Sequence, residues 1–212
     1  MIKGYIFDMD GTLLDSLSAW KDISNRYLAS LGLAGDPQLD EIMKHMSLDN
    51  GAAYLIDRFH LMKTVPEVIS DIQQLMIDQY KYQLPLKEGV LKFLEKCSQK
   101  HYQMCVLTAS DSKLAKLALK RLKVLHYFQE VYACHEIQLN KKDPQSYLYI
   151  AEKMNLKPQE CVVVEDALYA MKTAKQAGFY VKAIYDEENK DDLPMMNKVA
   201  DEIYMSFQDM EV

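Results

Sequence analysis

Two hydrophobic rhythms alternate along the chain. Short runs rich in β-branched and aromatic residues, at 2–7, 102–107, 130–134, 160–165 and 180–184, read as five buried strands. Between the last four lie stretches with apolar residues at helical spacing, 112–124, 144–155 and 167–177, the last closed by Gly178. Strand and helix in alternation predict a parallel sheet with helices on both faces.

The first strand interrupts this rhythm. It is followed by a long stretch without a strand pattern, in which residues 17–31, 39–45, 50–59 and 67–82 read as helices separated by turns at 32–37, near Asp49 and at 64–66. The expected architecture is a doubly wound, Rossmann-like α/β core of residues 1–14 and 84–212, with a four-helix cap domain, residues 15–83, inserted after strand one. Joined at two points, the cap is expected to rock as a lid over the sheet. The charged segment 186–192 reads as a loose surface loop.

Composition narrows the function classes. A chain of 212 residues with 49% apolar and 26% charged residues can bury one good core and a smaller lobe. Its net charge of -6 argues against a nucleic-acid polymer as partner, since such binding needs clustered cations. The densest basic stretch, residues 113–123, reads as the solvated face of an amphipathic helix. Cys97, Cys105, Cys134 and Cys161 lack metal-site spacing and read as buried free thiols. With no room for a signal peptide before the first acidic motif and no bilayer-length apolar run, the expectation is a cytoplasmic protein away from membranes, a monomer or weak dimer.

In a parallel α/β sheet, ligands bind beyond the carboxyl ends of the strands. Here strand one runs into Asp8-Met9-Asp10-Gly11-Thr12 and strand two into Thr108-Ala109-Ser110. Asn140-Lys141-Lys142 follows strand three, and strand four ends in Glu165-Asp166. Asp8 and Asp166 offer the hard oxygen ligands that suit Mg²⁺, and Asp8 can also attack phosphorus. Lys141 brings a point charge for the phosphoryl oxygens and Thr108 a hydroxyl donor. Asp10 can protonate the leaving oxygen and then deprotonate water. Gly11, permitting the tight turn, completes a phosphate cradle with Ala109 and Ser110. Each residue alone could be a turn, a helix cap or a solvated loop residue; their joint placement at successive strand ends favours a site.

These segments resemble the four motifs of the haloacid dehalogenase-like superfamily, in its subgroup with a helical cap that includes β-phosphoglucomutase and phosphoglycolate phosphatase. The segment FDMDGTLLDS at 7–16 is highly specific, VLTAS at 106–110 and KKDP at 141–144 are weak alone, and VVVEDALYAMKTAKQAG at 162–178 is strong, with Ala170 where a Gly is usual. The resemblance implies Asp8 as nucleophile, Asp10 as acid/base, Thr108 and Lys141 as phosphate binders, and Glu165 with Asp166 as metal-side acids. The metal set is then Asp8, Asp10 through its carbonyl, Glu165 and Asp166.

The substrate implied is a small phosphorylated metabolite, a sugar phosphate, phosphoglycolate-like acid or nucleotide monophosphate. The alternative is a phosphosugar mutase. Against it, the cap has Leu48 near the position of the mutase's phosphate-binding Arg and Trp20 at that of its first-helix His, although Lys44, His45, Arg58 or Lys21 could substitute. Trp20 otherwise reads as core, in phase with Ile23, Tyr27 and Leu31. The histidines show no ligand spacing. A receiver-like signalling module shares the acid, Thr and Lys set but needs neither the DxDGT sequence nor the insertion.

Overall fold

The computed structural model of the chain describes residues 1–43, 46 and 48–212, with Asp40 and Leu48 described through their backbone alone. It divides into two compact units, residues 1–16 with 84–212, and residues 17–83.

In the larger unit six strands form one sheet: β1 (Gly4–Phe7), β2 (Gln103–Thr108), β3 (Glu130–Ala133), β4 (Cys161–Glu165), β5 (Tyr180–Ile184) and β6 (Glu202–Tyr204). Their order is β3-β2-β1-β4-β5-β6 and all neighbours run parallel. β1 is buried on both faces, as a central parallel strand must be. Ile6 points into a cluster with Leu107, Val163, Ile150 and Met171. Tyr5 and Phe7 point the other way onto Phe93, with ring centroids 5.6 and 6.2 Å away. Gly89, at φ 86°, is required where the chain passes Phe207 and Gln208, because a Cβ there would lie 2.4 Å from the Gln208 nitrogen.

The smaller unit contains α1 (Leu17–Lys21), α2 (Ile23–Ser30), α3 (Leu39–Met43), α4 (Leu48–Phe59) and α5 (Val65–Asp78), which runs into a π-helical turn, Gln79–Gln83. Thr64 starts α5 with its N–H and hydroxyl both donating to Glu67, each at 2.7 Å. The larger unit adds α6 (Val90–Gln99), α7 (Ser112–Arg121), α8 (Pro144–Lys153), α9 (Leu168–Gln176) and α10 (Leu193–Val199).

Several expectations are corrected. The helix expected over 17–31 is broken at Asp22 into α1 and α2. Ile23 and Tyr27 are buried, whereas Trp20 is half-buried, donating from Nε1 to the Tyr80 hydroxyl at 3.2 Å, and Leu31 is exposed. Segment 186–192 is no loose loop: Glu187–Asp192 is a 3₁₀ helix capped by Asp186, whose carboxylate accepts from Glu188 N–H. β6, α6 and α10 are additional elements. The four cysteines are free and buried. Lys113, Lys120 and Lys123 of the basic stretch are exposed, while Lys116 pairs with Glu130 at 2.7 Å.

Candidate active site

The strand order reverses its direction of growth between β1 and β4, so the carboxyl ends of these two strands border the crevice where such sheets bind ligands. Asp8 extends β1 by one residue, its N–H donating to the Val164 carbonyl at 3.0 Å. The chain then folds back on itself: Leu14 N–H donates to Met9 O at 2.8 Å, and Gly11 N–H to Leu14 O at 3.0 Å. Gly11 holds φ 85°, a backbone region that is strained for residues with a Cβ.

Four buried ionisable groups meet beyond these strand ends. Lys141 Nζ donates to Asp8 Oδ1 and to Glu165 Oε1, the latter at 2.5 Å, and Lys141 is only 5% exposed. Asp166 completes the cluster, with ligand-type oxygens of Asp8, Glu165 and Asp166 within 4.8 Å of one another. Asp111, one residue before α7, caps that helix from Lys113 and Leu114 N–H, which fixes the Thr108–Ser110 turn that precedes it. On the other side Asp143 caps α8 from Gln145 N–H with Pro144 in the first turn, holding the loop that carries Lys141.

Asp10 stands apart from that cluster in its bonding. Ser16 Oγ donates to its Oδ1 at 2.8 Å and Ser110 Oγ to its Oδ2 at 2.7 Å. Thr108 is fully buried, and its oxygen accepts from Ser110 N–H at 3.0 Å, which leaves its own proton to give. Ala109 between them is exposed.

Four site residues escaped the sequence reading. Thr12 Oγ1 donates to Asp166 Oδ1 at 2.9 Å, and Asn189 Nδ2 to Asp166 Oδ2 at 2.7 Å. Tyr147 donates to Glu165 Oε1 at 3.1 Å, and Ser16 holds Asp10. Thr12 and Ser16 lie within the quoted first motif and were within reach. Tyr147 has the spacing of an ordinary core position on α8, and nothing in the sequence marks Asn189. Among the described histidines, exposed His135 lies 4.0 Å from Asp111 and 3.8 Å from Glu136.

In the helical unit, the guanidinium of Arg58 is bonded to Asp36 at 2.8 Å. Lys44, His45, Ser47 and the side chain of Leu48 lie outside the described residues.

Burial sets the electrostatics. It pushes Glu165 up to about 7, with Lys141 opposing and Asp8 adding to the rise. Asp166 is raised well above the usual carboxylate range, by burial first and then by Asp8 and Glu165. For Lys141, burial favours the neutral amine, but the two carboxylates outweigh it and hold the ammonium charged. With all three acids ionised, three carboxylates against one ammonium leave two formal negative charges, which is what the buried space resists without a cation. Asp8 Oδ2 is buried without a hydrogen-bond partner. An excess of two charges and an unsatisfied carboxylate oxygen fit a divalent cation with hard oxygen ligands.

Comparison with known proteins identifies the family and the fold. Residues 5–184 match the family described as haloacid dehalogenase-like hydrolase. Fructose-1-phosphate phosphatase YqaB of Escherichia coli K12 is 30% identical over 185 residues, covering 82% of this chain and 92% of that protein. Phosphorylated carbohydrates phosphatase of Thermotoga maritima is 24% identical over 184 residues, covering 87% and 84%. Among solved structures, CbbY of Rhodobacter sphaeroides in complex with xylulose-(1,5)bisphosphate shares the fold, with a TM-score of 0.82 at 17% identity over 99% of this chain and 96% of that one.

Proposed function

This chain belongs to the haloacid dehalogenase-like hydrolases, and we propose that it is a Mg²⁺-dependent phosphatase of small phosphorylated metabolites that works through an acyl phosphate on Asp8. One observation carries the reading. A buried Lys141 ties Asp8 to Glu165 while the second Asp8 oxygen stays unsatisfied, and a separately held Asp10 lies two residues further along the same loop.

Asp8 and Asp166, with the main-chain carbonyl of Asp10, would hold Mg²⁺, which supplies charge neutralisation for the transferring phosphoryl group. Glu165 has a different job: its Oε1 already accepts from Lys141 and Tyr147, so it keeps the ammonium aimed at Asp8. In the first step an Asp8 carboxylate oxygen bonds to phosphorus as the ester P–O bond breaks, and Asp10 gives its proton to the departing oxygen. In the second, Asp10 takes a proton from water, whose oxygen bonds to phosphorus as the Asp8–phosphorus bond breaks. Lys141 and Thr108 bind the phosphoryl oxygens through both steps, since this transfer needs positioning and charge more than further covalent chemistry.

The relatives' names, a fructose-1-phosphate phosphatase and a phosphorylated carbohydrates phosphatase, support a sugar phosphate as substrate. The test is a panel of sugar phosphates, phosphoglycolate and nucleotide monophosphates with Mg²⁺, read as free phosphate. Stoichiometric release from a sugar phosphate is expected. Turnover that requires a bisphosphate activator and frees little phosphate would establish a mutase instead.

A further inference from the structure

Asp166 is the one acid of the cluster whose two carboxylate oxygens each accept a hydrogen bond from a neutral side chain, Thr12 on Oδ1 and Asn189 on Oδ2. Thr12 comes from the catalytic loop itself. Asn189 comes from a segment that carries none of the motifs, and its Nδ2 also lies 3.3 Å from the Asp166 main-chain oxygen. Both neighbours are acceptors of the deprotonated residue, so the amide nitrogen, with two protons, must be the atom that faces them. One side chain thereby ties the carboxylate of Asp166 to its own backbone and fixes the side-chain torsion.

The placement of Asn189 has its own support. Its N–H donates to the Asp186 carbonyl at 3.0 Å, and the Asp186 carboxylate caps the 3₁₀ turn from Glu188 N–H at 3.0 Å. Asp186 is in turn held by Lys87 at 2.6 Å, with both side chains largely buried, and Lys87 Nζ also donates to Tyr185 O at 3.0 Å. Lys87 belongs to the stretch whose backbone bonds the catalytic loop: Lys87 N–H donates to Leu13 O at 2.9 Å and Asp15 N–H to Pro85 O at 3.1 Å. The turn bearing Asn189 is thus anchored to the strand-one loop through a largely buried ion pair.

We propose that Asn189 is a positioning residue for the divalent cation, holding Asp166 in the orientation that binds metal. The proposal rests on the reading of Asp166 as a metal ligand. Hydrogen-bond partners of metal ligands typically contribute about 10–100-fold in metal affinity.

The test measures Mg²⁺ binding by titration calorimetry on the full chain, alongside the Mg²⁺ activation constant for hydrolysis of an aryl phosphate. Asn189→Ala and Asn189→Ser, neither of which can span to Asp166, should weaken Mg²⁺ binding about 10–100-fold. At saturating Mg²⁺ the KM for the phosphate ester should stay near that of the wild type, and the circular-dichroism melt of the metal-free protein should be retained. Mg²⁺ affinity within about twofold of wild type in both folded variants would overturn the assignment. Failure of the wild-type protein itself to bind Mg²⁺ would instead reject the metal reading on which it rests.

Discussion

Lys141 Nζ stands 2.5 Å from Glu165 Oε1 in a setting from which water is nearly excluded, and the same ammonium reaches Asp8. In the proposed mechanism this ion pair positions the nucleophile and brings the ammonium to the phosphoryl charge. Replacing Lys141 by Met keeps much of its bulk but leaves three buried carboxylates facing one another. We expect kcat on an aryl phosphate to fall by about 10²–10³-fold, the range for losing one group that stabilises transition-state charge. A loss smaller than about tenfold would contradict that role.

Asp10 is clamped from both sides by Ser16 and Ser110, which orients the carboxyl that gives and then takes a proton in the proposed mechanism. Asp10→Asn should cost about 10²–10⁴-fold in turnover, the usual reach of general acid–base catalysis. Ser110→Ala should lower kcat by about tenfold, the equivalent of one hydrogen bond to a charged group, with folding intact. If Ser16→Ala and Ser110→Ala act on the same carboxylate, their effects in the double variant will not add; strict additivity would separate the two serines.

The raised carboxylates give the metal-free protein a pH dependence of definite sign. Folded Glu165 keeps its proton up to about 7, above its unfolded value, so between the two the folded state binds more protons than the unfolded one. This contribution is fully present at the acid end and is lost as pH rises through that window. Asp166 acts in the same direction. Metal binding must expel the proton of Asp166, a proposed ligand, so Mg²⁺ should raise the melting temperature more at pH 8 than at pH 5.5. Glu165→Gln should flatten the metal-free pH dependence. A Mg²⁺ effect larger at pH 5.5 than at pH 8 would reverse the sign and refute the assignment.

The sheet was readable because its central strands are buried on both faces and so carry unbroken apolar runs, as at Val162 to Val164. Asp8, Lys141, Glu165 and Asp166 were readable because a parallel sheet gathers whatever follows its strands on one rim, and acidic, hydroxyl and cationic groups followed them in turn. β6 escaped because its three residues are each half-buried, with no apolar run to mark them. The break at Asp22 has no proline or glycine to announce it. Asn189 was hidden for a different reason. Its segment, DEENKDD, has the composition of solvated chain, and its contact with Asp166 depends on how the turn after β5 is anchored by the Lys87–Asp186 pair, a relation between residues 99 positions apart.

The most direct measurement is acid-quench labelling with a ³²P-labelled aryl phosphate in the presence of Mg²⁺. The wild-type chain should carry a transient, hydroxylamine-labile label that maps to the peptide containing Asp8. The label should accumulate in Asp10→Asn, because an aryl leaving group departs without an acid while hydrolysis of the acyl phosphate still needs a base. It should be absent from Asp8→Asn. Labelling that persists in Asp8→Asn, or phosphate release at wild-type rate by that variant, would contradict the nucleophile assignment and the mechanism built on it.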